Sequence, residues 1–134
     1  MKTTAKGTTD RTTKYVTAVR LYMQRNGHAT NAAILNVMRS TFGNVSATTI
    51  YRVTARMLER GELRLAPPAP GNVMRLDART TPHDHFVCED CGMIKDVDLG
   101  KLIRPELERL LGDGCHISGS LTVSGTCAQC RRRR

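Results

Sequence analysis

The sequence predicts an α+β chain in which a winged-helix domain is followed by a smaller α/β domain held together by a structural metal ion. Three observations carry this expectation. Apolar residues recur at helical spacing three times before residue 60, a hairpin centred on proline and glycine follows, and two C-x-x-C pairs frame the C-terminal third. The expected divisions are residues 1–76 for the winged-helix domain, 77–82 for a connecting segment, and 83–134 for the α/β domain.

In the first domain, Tyr15, Val16, Val19 and Met23 recur at three- and four-residue steps across residues 13–24, and Asn26-Gly27 stops that helix. Thr30 is placed to cap a second helix with Ala33, Ile34, Val37 and Met38 on one face, and the chain turns at Phe42-Gly43-Asn44. Ser46 caps a third helix, in which Ile50, Val53, Met57 and Leu58 face the core while Thr48, Thr49, Arg52, Arg56 and Arg60 face elsewhere. Gly61 is its expected stop. A hairpin then joins strands 62–66 and 72–76 through a stiff turn from Pro67 to Gly71. Three helices and a hairpin are the order of a winged helix, whose third helix enters the major groove of DNA.

In the second domain, residues 85–88 and 94–97 read as short strands around a C-x-x-C-G turn. Pro105 suits the first turn of a helix, Glu106 and Glu108 suit its N-terminal half, and Gly112 closes it. Ile117, Leu121 and Val123 suggest a last strand before the second cysteine pair.

The chain carries 21 Lys and Arg against 12 Asp and Glu, a net charge of +9. The excess lies in front: residues 1–60 hold ten cations against Asp10 and Glu59, whereas the remainder holds eleven against ten. Such asymmetry points to a polyanion, nucleic acid, as partner of the first domain. The four terminal arginines read as a solvated end, with a disordered phosphate-seeking end as the alternative. No apolar stretch approaches a membrane span and the opening residues lack an apolar signal core, so no membrane partner is expected and the expected location is cytoplasmic. No hydrolase-like Ser/His/Asp set, phosphate-cradling glycine loop or H-E-x-x-H is present, so no catalytic residue is assigned and the chain is read as a binding protein, not an enzyme.

Five cysteines in a reducing compartment favour metal ligation over disulfides. Cys88 with Cys91, and Cys127 with Cys130, each present two thiolates from a tight knuckle, and together they close a tetrahedral zinc site across 35 intervening residues. A redox dithiol or free core thiols are the alternatives, although neither pair is followed by a convincing helix to activate a thiol. Cys115 is expected to be a small buried hydrophobe. His83 and His85 alternate around Asp84 on an extended stretch, so their imidazoles share a face while Asp84 points away as a bystander. Zinc satisfied by four thiolates has no use for them. They are then a surface histidine pair, or part of a second site with Asp77, Asp96 and the distant His28, a donor set suited to Fe(II), Mn(II), Ni(II) or Zn(II).

In order and spacing, Arg11-x-Thr13, His28-Ala-Thr30, Ser46-Ala-Thr-Thr-Ile-Tyr-Arg52, the run from His83 through Cys88 and Cys91 to Asp96, and Gly125-Thr-Cys127-x-x-Cys130 resemble the ferric uptake regulator family of bacterial metal-dependent repressors. The resemblance covers roughly residues 11–130 and is most specific in H-x-H-x-x-C-x-x-C-G with the distal C-x-x-C. It implies a homodimer with a winged-helix domain, a hinge and an α/β dimerisation domain. By motif, structural Zn2+ takes Cys88, Cys91, Cys127 and Cys130, and a regulatory Fe2+ or Mn2+ ion takes His28, Asp77, His83, His85 and Asp96. Tyr51 and Arg52 would contact a double-stranded operator, with Ser46, Thr49 and Arg56 on backbone phosphates.

Within the family, Asp at both 77 and 96 is similar to the peroxide-sensing branch, whereas iron-sensing members often carry Glu there. Zinc-sensing members tend to place a cysteine just before H-x-H, and residues 78–82 have none. Members usually carry a longer N-terminal arm, so little DNA contact is expected from the ten residues before Arg11. Some have a third metal site using a histidine at the position of Gly119, and His116 is not expected to substitute. Iron-, nickel- or zinc-sensing, a zinc-ribbon nucleic-acid module and a C-x-x-C redox protein remain alternatives.

Overall fold

The structure, a computed structural model, describes the backbone of residues 2–133 and the side chains of residues 13–133; Arg134 and the side chain of Arg11 lie outside them. The chain forms two compact units, Met1–Thr80 and Thr81–Arg134. No helix among the described residues is long and apolar enough to cross a membrane.

The first unit runs α1 (Lys2–Asn26), β1 (His28–Thr30), α2 (Asn31–Phe42), α3 (Ala47–Glu59), β2 (Arg64–Ala69) and β3 (Val73–Asp77). Its core is built from the apolar faces that the periodicity marks: Val19 and Met23 of α1, Ile34 and Met38 of α2, Ile50, Val53 and Met57 of α3, closed by Leu63 and Leu76. Tyr15, Val16, Ala33, Val37 and Leu58 pack half-buried around it. The caps form as expected. Thr30 Oγ1 accepts from the Ala33 amide at 3.2 Å and Ser46 Oγ from the Thr49 amide at 3.1 Å.

Three features of this unit depart from the sequence reading. α1 starts at Lys2 instead of near residue 13, because residues before Tyr15 carry no apolar stripe and extend a helix already nucleated by the packed turns. β1 was not anticipated at all. It adds an antiparallel edge to β3, in the sheet order β1-β3-β2, and its register sets His28 opposite Asp77. Finally, Pro67 and Pro68 lie inside β2 rather than in the turn. They are tolerated because β2 is an edge strand and its ladder shifts register between Ala66 and Ala69; the turn falls later, with Gly71 and Asn72 at positive φ (78° and 62°).

The second unit comprises β4 (Asp84–Cys88), β5 (Ile94–Val97), α4 (Ile103–Leu111), β6 (Thr122–Gly125) and α5 (Ala128–Arg133). β4 is central, antiparallel to β5 and parallel to β6. The last strand is shorter than expected, since the Ile117 amide leaves the strand pattern and donates to the Glu108 carboxylate at 2.7 Å. α5 corrects one expectation, since a short helix does follow Cys127; Arg131 to Arg133 continue it and are exposed, as a solvated end requires. Cys115 is exposed, not buried, because it follows the Gly112–Gly114 turn away from any apolar cluster. Among the described residues, the buried apolar cluster of this unit is Cys88, Cys127 and Cys130 with Phe86 packed against them. So small a core gives little stability unless a metal ion cross-links it.

Candidate functional site

The four paired cysteines converge. Cys88 ends β4, Cys91 follows in the turn to β5, Cys127 precedes α5 and Cys130 lies on it, with all four sulfurs within 4.8 Å of one another. Cys91 and Cys127 Sγ are 3.8 Å apart, the sulfur–sulfur edge of about 3.8 Å that zinc–sulfur bonds near 2.3 Å impose on a tetrahedron. Backbone amides of Cys91 and Cys127 point at the Cys88 sulfur and lower its pKa to about 6 despite burial, with Asp90 adding to them. The Cys130 thiol is pushed up to about 12 by its contact with Cys127, by burial and by the other two thiols. One thiolate is thus welcome and further ones repel, so a divalent cation is what allows all four to ionise together. The donor set fits structural zinc.

The other predicted ligands lie in both units. In the first, the β1–β3 register holds His28 Nε2 3.4 Å from Asp77 Oδ2, while Oδ1 accepts the Arg79 amide at 2.9 Å. Asp77 is the last residue of β3 and is 2% exposed. In the second unit, the β4–β5 register sets His85 opposite Asp96. Nε2 of His83 and of His85 lie 3.4 and 3.3 Å from the same Asp96 oxygen, and the two rings are 4.4 Å apart. All these nitrogen–oxygen separations match two donors on one ion with bonds of about 2.1 Å, whose edges span about 3.0–3.4 Å. His83 Nδ1 lies 2.8 Å from the Thr81 carbonyl. A carbonyl only accepts, so Nδ1 donates there, which leaves Nε2, on the Asp96 side, as the atom a metal ion would take.

Asp84 is not the bystander the alternation suggests. It does point away from the imidazoles, but into the interior, 4% exposed. Its Oδ1 accepts from the Leu121 amide at 2.8 Å and from Arg104 at 2.6 Å, and its Oδ2 from the Leu99 amide at 3.3 Å. Burial pushes its pKa up, but these donors together outweigh it and hold the carboxyl below the ordinary range. A lone acid beside two histidines gives no sequence signal for such a role, because its partners lie 15 to 37 residues away.

Gly119, at the position of the third-site histidine, presents its carbonyl to Arg104 at 2.8 Å, and His116 Nδ1 sits 2.7 Å from Glu108. Neither joins a cluster of three or more metal-ligating groups among the described residues.

On α3, Tyr51 is 52% exposed and Arg52 and Arg56 are exposed with it. Ser46 and Thr49 lie at the helix start with their hydroxyl oxygens 2.9 Å apart. The opposite face is fixed by the core and by Thr54, which was not singled out in the sequence; its hydroxyl donates to Asn31 at 2.8 Å and ties α3 to α2. α4 is amphipathic but buries none of its residues, leaving Leu110 75% and Leu111 60% exposed beside Leu102 and Ile103.

A family model described as the Ferric uptake regulator family matches residues 3–120. Among characterised relatives, the Transcriptional regulator FurA of Mycobacterium tuberculosis is 33% identical over 89 residues, covering 66% of this chain and 60% of that protein. The chain thus spans less than two thirds of that relative's length. The Peroxide operon regulator of Bacillus subtilis is 28% identical over 112 residues, covering 79% of this chain and 73% of that protein. The Campylobacter jejuni peroxide stress regulator shares the fold, with a TM-score of 0.72 at 20% identity over 97% of this chain and 98% of that one. With a family match across nearly its whole length, and with the helix order and cysteine quartet described above, the chain belongs to the ferric uptake regulator family.

Proposed function

We propose that the chain is a metal-responsive transcriptional repressor that binds a palindromic DNA duplex as a homodimer when a regulatory ion is held. The observation that carries this reading is the division of one ligand set. His28 and Asp77 are preset in the first unit, and His83, His85 and Asp96 in the second. Neither partial set suffices for tight binding of a divalent ion, so an ion that takes all five favours one orientation of the units. Residues 1–76, 77–82 and 83–134 then serve as DNA-binding domain, hinge and dimerisation domain. The leverage on DNA affinity equals the ion's differential affinity for the two orientations.

The remaining roles follow from exposure. Tyr51 and Arg52 read base edges while Arg56, Ser46 and Thr49 hold phosphates, and the basic front half supplies salt-dependent attraction. A second copy covers the apolar face of α4, so that two α3 helices meet successive major grooves. The chain's own groups bind and orient; no catalytic residue is assigned. Bound Fe(II) would supply reactivity toward peroxide that Mn(II) lacks. Aspartate at both 77 and 96, with the similarity to the Bacillus subtilis Peroxide operon regulator, supports peroxide sensing.

The test is a gel shift on a duplex selected by the zinc-loaded chain from a random pool in the presence of Mn(II). Binding is expected with Fe(II) or Mn(II), and micromolar peroxide should abolish it in the iron case alone. Indifference to peroxide with both ions excludes peroxide sensing and leaves a metal sensor; Ni(II) or Zn(II) acting in their place would identify that sensor. Full binding after removal of the exchangeable ion overturns the switch.

A further inference from the structure

We propose that Asp84 and Arg104 form a positioning element for the regulatory ion, setting its affinity from the face of β4 opposite the ligands; the inference rests on the ligand assignment above. Three backbone connections support it. Asp84 lies between His83 and His85, so whatever fixes its carboxylate fixes the strand that carries both imidazoles. Leu121 closes a tight loop with this strand: its amide donates to Asp84 at 2.8 Å while its carbonyl accepts from the His85 amide at 3.0 Å. The Leu99 amide, two residues beyond the end of β5, donates to the other carboxylate oxygen, which anchors the strand carrying Asp96. One buried carboxylate therefore gathers the supports of His83, His85 and Asp96.

Arg104 completes the arrangement. One of its terminal nitrogens donates to Asp84 at 2.6 Å and the other to the Gly119 carbonyl at 2.8 Å, so α4 is tied both to β4 and to the segment leading into β6. A planar guanidinium can hold two such acceptors at fixed separation; an ammonium cannot. The two imidazoles must keep their Nε2 atoms on one aspartate oxygen, a demand that slight rotation or sliding of β4 would break. Outer groups that hold ligands in place commonly change metal affinity by a factor of ten or more when removed.

The bland reading is a fold staple that the metal never senses, and the test separates the two. Mn(II) affinity is measured on the zinc-loaded full chain for the wild type, D84N, R104Q, R104K and the D84N/R104Q double variant, with zinc content and cooperative melting recorded for each. Both single neutral variants are close in shape to the native residues. Each is expected to weaken Mn(II) binding about tenfold at one zinc per chain, with the double variant little worse than either single and R104K intermediate. Lower melting temperatures with unchanged Mn(II) affinity in folded, zinc-loaded D84N and R104Q would overturn the proposal. Failure of the wild-type chain to bind Mn(II) would instead remove the ligand assignment, and this inference with it.

Discussion

At the scale of single residues, the cysteines and the cations of α3 can be tested apart, the first by stability and the second by the proposed DNA binding. Cys88 is fully buried and ends the central strand, so Cys88→Ser should release zinc and melt the second unit, read as loss of one zinc per chain and of its cooperative transition. Arg52→Ala should relax discrimination between bases by about 1–3 kcal/mol, whereas Arg56→Ala should weaken binding evenly and lower the salt slope by about 1. Binding isotherms on matched and mismatched duplexes at several salt concentrations distinguish them. Glu108 offers a pH check away from both metal clusters. The Ile117 amide, then His116 and Arg104, hold its carboxyl below the ordinary glutamate range against the effect of burial. Its stabilisation is therefore present above the ordinary value of about 4.3 and is lost as pH falls through the lower folded value. The gap in urea midpoint between wild type and Glu108→Gln should shrink as pH falls below about 4.3 and through the lower folded value.

At the scale of elements, much of the architecture was legible because burial there is periodic. Val19, Met23, Ile34, Met38, Ile50, Val53 and Met57 alone mark three helices, and Thr30 and Ser46 mark two of their starts. What stayed hidden depends on distant partners. β1 is three residues long and exists through its pairing with β3, 45 or more residues onward, so no local pattern reveals it, although the His28–Asp77 pairing depends on it. Asp84 reads as a solvent-facing alternate until α4 and β6 close over it. The prolines of β2 signal a turn by composition, but an edge strand with a register shift accommodates them. Two expected outcomes belong here. Ser46→Ala should cost about 1 kcal/mol in the stability of the first unit, from the lost cap on the Thr49 amide. Replacing both Leu110 and Leu111 with Glu should give a monomer by sedimentation at unchanged zinc content, since α4 buries neither of them within the chain.

At the scale of the whole molecule, the two metal clusters have different work. The cysteine quartet supplies the second unit with the core its few buried apolar residues do not, while His28 with Asp77 in the first unit and His83, His85 and Asp96 in the second are each preset as partial donor sets. The candidate ligands were legible from spacing and resemblance, because ligand chemistry restricts the residue types, and the structure brings their donor atoms together in groups. Their supports were not, because a hydrogen-bonded support can be almost any residue. The most direct measurement is the Mn(II) dependence of affinity for the selected duplex in the wild type, His28→Ala and His85→Ala, each verified to hold one zinc. Mn(II) should raise wild-type affinity at least about tenfold, a coupling of about 1.4 kcal/mol, and both variants should lose that increase while keeping their metal-free affinity. Retention of the full Mn(II) effect by His28→Ala, whose imidazole lies in the first unit, would contradict the proposed switch.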